Sequence, residues 1–245
     1  MLSAAAPPVH AAAVAVRAGP CYKSDMATLS SPLPEVERLA LAIPPLGLPG
    51  RFLCPRAPQA VVVLAYSGMR APIDARLETL AQRWAASGIA TLVFDPFTAD
   101  ENDDRANRYD VSRMAERVMM AARFVREIPI VADQPLMLFG FGTAAAACLQ
   151  AAVSLGGRVA AIGSCAGLPA LARDALPQVK APTLCFVSTT DEAVLDFNRA
   201  AVARLAGEKE LRQMRGPTTL IDDAAALSQL AAESAAWFLR AAGSA

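Results

Sequence analysis

Two pentapeptides in this sequence have the outline of a turn that presents a nucleophile. Residues 140–144 read Gly-Phe-Gly-Thr-Ala, and residues 163–167 read Gly-Ser-Cys-Ala-Gly. In such an elbow, written G-x-S-x-G, a strained strand-to-helix turn lifts a serine or cysteine clear of a sheet. The first pentapeptide has the right flanks, the apolar run LMLFGF before it and the Ala-rich TAAAACLQAA after it, but its centre is Gly142. The second is centred on Cys165, but Pro169 and Pro177 interrupt any long helix after it. Attack by serine or cysteine also needs an imidazole beside the nucleophile. The chain has one histidine, His10, in an Ala/Pro-rich N-terminal stretch. No Ser-His or Cys-His couple is therefore expected. Cys165 is expected to be a small buried or pocket-lining thiol facing the crevice, and it is the alternative nucleophile if the protein is active.

Composition narrows the field further. The 245 residues are 54% hydrophobic, with mean hydropathy +0.33, enough for one large α/β core. Lys+Arg and Asp+Glu balance at 23 each, so no basic field exists to hold nucleic acid or an acidic membrane. No apolar run reaches the ~18 residues of a membrane span. Five cysteines, Cys21, Cys54, Cys148, Cys165 and Cys185, sit mostly in apolar runs without a CxxC or Cys/His cluster. That pattern points to buried thiols in a reducing, cytoplasmic compartment, with no metal and no cofactor. Residues 1–34 are expected to form a poorly ordered tail before a domain over 35–245; Met26 is an equally good start of translation.

The elements that must position any site follow from periodicity. RLALAI (38–43), the turn PPLGLPG and RFLCP (51–55) predict an N-terminal antiparallel pair. Beyond it, short apolar runs at 61–66, 90–97, 136–141, 159–165 and 183–188 alternate with helical stretches at 73–87, 109–127, 143–155, 192–206 and 223–242. That alternation is the mark of βαβ units around a buried parallel sheet. Residues 210–216 are a weaker last strand. The acidic run ADENDD (99–104) is expected to be a solvated surface loop.

In an open α/β sheet the ligand lies beyond the carboxyl ends of the strands. That places Ser67, Gly68 and Arg70 after one strand, whose last residue is Tyr66, and Gly142 and Thr143 after another, whose last residue is Phe141. Helix-start amides near Thr143 suit a carboxylate or phosphate. Tyr66 and Phe141 flank this pocket and are large enough to fill it. Asp95, at the end of a third strand, is expected to anchor a loop.

Taken together, the strand order, GFGTA at 140–144, APTLCFVSTTDEAVLDFNR at 181–199 and RGPTTLIDDAAALSQLAAESAAWFL at 215–239 resemble the dienelactone-hydrolase-like branch of the α/β-hydrolases. The resemblance implies a three-layer α/β fold with a mostly parallel central sheet and an antiparallel N-terminal pair. In such relatives the stretch like 181–199 carries the triad acid, and Asp191 stands there. The stretch like 215–220 carries histidine where this chain has Thr219. The elbow carries serine or cysteine where this chain has Gly142, and Ala144 replaces its second glycine. A loop often reading His-Gly is Tyr66-Ser67 here. The expectation is a pseudohydrolase that binds a small acidic molecule or a protein partner. The alternative is a hydrolase, lyase or isomerase of altered mechanism using Cys165, Asp191 or both.

Overall fold

The computed structural model describes residues 36–67 and 72–244. The expected tail at 1–34, with His10, Cys21 and Met26, lies outside the described residues, as do Gly68 and Arg70.

Eight strands form one sheet in the order β1-β2-β4-β3-β5-β6-β7-β8: β1 (Val36–Ile43), β2 (Leu48–Pro55), β3 (Ala60–Ala65), β4 (Ile89–Phe94), β5 (Leu136–Phe141), β6 (Val159–Cys165), β7 (Thr183–Ser188) and β8 (Lys209–Met214). β1 and β2 pair antiparallel, and β2 runs antiparallel to β4; every pairing from β4 to β8 is parallel. The predicted antiparallel pair and parallel core are both present.

Burial explains why these runs are strands. β3, β4, β5 and β7 are buried along their whole length, as strands covered on both faces must be. Alternate residues serve opposite cores. Val61, Val63 and Ala65 pack with α3 (Val111–Val125) and α4 (Thr143–Leu155), while Val62 and Leu64 pack with α1 (Pro72–Ala86) and α6 (Ala224–Ala242). The result is helix, sheet, helix in three layers.

Two stretches depart from the sequence reading. The acidic run lies on the surface as expected, but it is not a loop: it forms a short helix, α2 (Ala99–Asp103), followed by a 3-10 turn at Arg105–Tyr109. Thr98 and Glu101 close a capping box on it, and Arg117 of α3 grips Glu101 through two 2.6 Å contacts. After Cys165 the chain forms 3-10 turns over Pro169–Gln178, broken at Arg173, in keeping with the two prolines.

Connectivity reverses at the centre of the sheet. The chain steps from β3 to β4 on one side, then crosses back to β5 on the other side of β3. A crevice opens at such a reversal beyond the carboxyl ends of the two strands. Ser67 follows β3 and Gly142 follows β5, so both stand at its mouth.

Candidate functional site

β5 runs into α4 through a single residue, Gly142, at φ 56° and ψ −126°. This left-handed conformation is strained for any residue with a Cβ, and glycine adopts it freely. A Cβ added at Gly142 would meet nothing within 4 Å, so the turn has room for a side chain it does not carry. Gly140 differs: its Cβ would lie 2.5 Å from Cα and N of Ala145, so that glycine is what lets α4 pack on the strand end. The Gly142 N–H donates to Cys165 O at 3.3 Å, and its carbonyl accepts from Leu168 N at 3.0 Å and Ala145 N at 3.3 Å. These bonds hold the turn from both sides. No side chain caps α4.

A cavity of about 240 Å³ lies over this turn, lined by Ser67, Arg108, Tyr109, Phe141, Gly142, Thr143 and Leu168. Of the residues expected to line a ligand pocket, Ser67, Phe141 and Thr143 do so. Tyr66 does not, being buried in the core on the α1/α6 side of the sheet. Phe141 lines the cavity without filling it.

Arg108, Tyr109 and Leu168 were not legible as pocket residues. The first two arrive on the segment between β4 and α3. Asp95 anchors its start, accepting from Phe97 N at 2.9 Å and Asn102 Nδ2 at 3.0 Å. Arg117 then fixes α2 through Glu101, donates to Pro96 O at 2.6 Å and stacks over the Phe97 ring at 5.3 Å. That Arg117 contact holds the Glu101 carboxyl well below its ordinary range, at about 2. Leu168 is brought in by its bond to Gly142 and by Asn198, which donates to Gly167 O at 3.0 Å.

Two polar atoms on residues that line the cavity are enclosed by protein rather than open to it. Ser67 Oγ and Arg108 Nε are both buried without a hydrogen-bond partner. Buried polar atoms are ordinarily paired, and leaving one unpaired costs about 1–3 kcal/mol.

The remaining candidates lie elsewhere. Asp191 is the N-cap of α5 (Glu192–Ala203), accepting from Val194 N at 3.0 Å. Its loop is tied to the loop after β8, because Ser188 Oγ donates to Gly216 O at 2.6 Å and Thr189 N to Met214 O at 2.9 Å. Thr219 follows on that second loop, its side chain capping nothing. Neither residue lines the cavity over Gly142.

Cys165 corrects an expectation: it does not face the crevice. It is fully buried, paired in register between Phe141 and Phe186, and burial pushes its thiol far above the ordinary value. A thiolate is the reactive form, and burial disfavours it at Cys165. Cys148 and Cys185 are likewise buried and pushed up to about 12. Among the described residues no cluster of His, Cys, Asp and Glu could hold a metal, and no helix is long and apolar enough to cross a membrane.

A mostly parallel eight-stranded sheet between two helical layers, with a tight left-handed turn joining a central strand to its helix, defines an α/β-hydrolase-fold protein. Within that class the chain is dienelactone-hydrolase-like. It superposes on a dienelactone hydrolase from Anabaena variabilis with TM-score 0.77 and 28% identity, over 85% of this chain and 98% of that one. An esterase domain from Rhodothermus marinus gives TM-score 0.66 at 18% identity, over 84% and 99%, a likeness of fold alone. In sequence, two Mycobacterium tuberculosis proteins, each bearing the name "Putative phosphoribosyl transferase", are 32% identical over 203 residues. The match takes in 83% of this chain and 46% of theirs, so the chain spans about half the length of these curated relatives. No protein-family model matches the chain.

Proposed function

We propose that this chain is a pseudohydrolase: a dienelactone-hydrolase-like scaffold without the nucleophile and base of acyl transfer, kept to bind a small acidic molecule. The observation that carries the reading is Gly142, which holds the strained geometry of a nucleophile elbow with no side chain on it. Asp191 stands at the acid position and has a structural task as a helix cap, which accounts for its presence without catalysis. Thr219 at the base position offers no imidazole. Losing the nucleophile or base of such a unit costs about a million-fold in turnover.

The uncapped start of α4, with Ser67 and Arg108 beside it, supplies the attraction for an anion. Buried, unpaired thiols fit a reducing, cytoplasmic setting. The alternative of an altered enzyme working through Cys165 loses its support with the burial of that thiol. The name of the longer mycobacterial relatives suits an anion-binding role, since a phosphoribosyl group carries a phosphate. A protein partner in place of a small molecule is the other occupant of this reading.

Thermal shifts with a panel of small carboxylates and phosphates test the proposal, alongside turnover of short aryl esters. Stabilisation by acids without ester turnover is expected. Ester turnover by the unmodified chain, or indifference to every acid in the panel, would overturn it.

A further inference from the structure

We propose that the open edge of β1 is a dimer interface: two copies of the chain pair their β1 strands antiparallel about a two-fold axis and join their sheets into one. The proposal is independent of what the cavity over Gly142 binds.

The two edges of the sheet are built differently. β8 is lined with charge, Lys209, Glu210 and Arg212, and Arg212 is held by Glu210 at 2.6 Å and by Glu233 at 3.0 Å. Charged side chains are a common means of keeping an edge strand from pairing. β1 is the opposite case. Its last five residues, Leu-Ala-Leu-Ala-Ile, carry no charge, and Arg38 before them is engaged with Glu78 of α1 at 3.3 Å. Leu39 is 43% exposed, with Ala40 and Ala42 exposed beside it. Among the described residues β1 pairs on one side only, with β2. The prolines of β2 show which backbone groups stand open. Pro49 and Pro55 have no N–H to donate and lie opposite Ala42 and Val36. Those are therefore non-hydrogen-bonded pairs of the antiparallel ladder, and the bonds to β2 run through Glu37, Leu39, Leu41 and Ile43. The N–H and C=O groups of Val36, Arg38, Ala40 and Ala42 point outward.

Charge and symmetry select a second copy as the partner. Outward-pointing residues must oppose one another, so a two-fold axis between antiparallel strands passes through a residue. An axis through Arg38 would set the two arginines face to face. An axis through Leu39 or Ala40 overlaps seven residues of each strand, 36–42 or 37–43. Either yields about six to eight backbone hydrogen bonds, close to the ~10 of a typical protein interface. On either axis Leu39 meets a leucine of the second copy, Leu39 or Leu41, and no like charges stand opposite each other. Pairing β1 with β8 of another copy would instead set the uncharged run against Lys209, Glu210 and Arg212, and would leave a free edge at each end for further chains. The two-fold pair uses both β1 edges and leaves only the charged β8 edges outside, so assembly stops at two.

Sedimentation velocity on the purified full chain across micromolar concentrations tests this, and a dimer is expected. Leu39→Lys, which puts a charge at the two-fold, should leave a monomer with the far-ultraviolet circular dichroism of the parent. Ala40→Pro should do the same, because the N–H it removes points outward and the ladder to β2 keeps its bonds; if that variant does not fold, Leu39→Lys decides. Gln213→Lys, on the β8 edge, should remain a dimer. A parent chain that sediments as a monomer at every concentration would overturn the proposal, whether the edge is covered by another protein or by none. A dimer that persists in Leu39→Lys, or one that Gln213→Lys dissolves, would overturn it as well. None of these outcomes bears on the acidic-ligand reading.

Discussion

Gly142→Ser puts a number on the strain that the turn between β5 and α4 imposes. At φ 56° and ψ −126° a residue with a Cβ pays a conformational penalty of about 1–3 kcal/mol, which glycine avoids. No steric term adds to it, because the new Cβ meets nothing within 4 Å. Reduced freedom of the unfolded chain offsets about 0.4–1 kcal/mol, so the net loss is about 1–2 kcal/mol. For a domain of this size that lowers the melting temperature by about 2–8 °C. Differential scanning calorimetry on the purified variant reads the shift directly. Gly157→Ser is the matched control, since Gly157 has equally open surroundings and no left-handed φ; it should move the midpoint little. A Gly142→Ser midpoint equal to or above that of the parent would refute the strain argument.

The other expectations draw on the same geometry. Gly140→Ala should destabilise more than Gly142→Ser, by about 3 kcal/mol or more, because its Cβ would press on the backbone of Ala144 and Ala145; chemical denaturation ranks the two. Arg117→Ala should cost about 1–3 kcal/mol by leaving the Glu101 carboxylate without its partner. The Glu101 carboxyl is lowered in the fold, so its contribution is complete above the ordinary glutamate value and fades as pH falls toward about 2. Glu101→Gln should therefore show a shallower loss of stability across that acid range, measured by denaturant midpoints. Cys165 should stay unlabelled by iodoacetamide in the folded protein and label only after unfolding, as mapped by mass spectrometry.

Much of the architecture could be read in advance because its signals are local. All eight strands and the five longer helices were legible from apolar runs and helical spacing, and GFGTA announced its turn through the two glycines. α2 was obscured by its own composition. Thr98-x-x-Glu101 is a capping box, but five acidic or amide residues around it read as a solvated face, and the residue that anchors the helix, Arg117, stands 16 positions away. Arg108 and Tyr109 were missed for the same reason, since their place in the cavity depends on that tertiary anchor. The burial of Cys165 was likewise not local: it follows from Phe141 and Phe186 on the neighbouring strands.

The central claim, that the elbow holds no working nucleophile, is tested most directly by hydrolysis of p-nitrophenyl acetate, comparing the unmodified chain with Gly142→Ser/Thr219→His. The account predicts no rate above buffer for the unmodified chain and turnover only when both residues are restored. Sustained turnover by the unmodified chain that disappears with Asp191→Ala would contradict it.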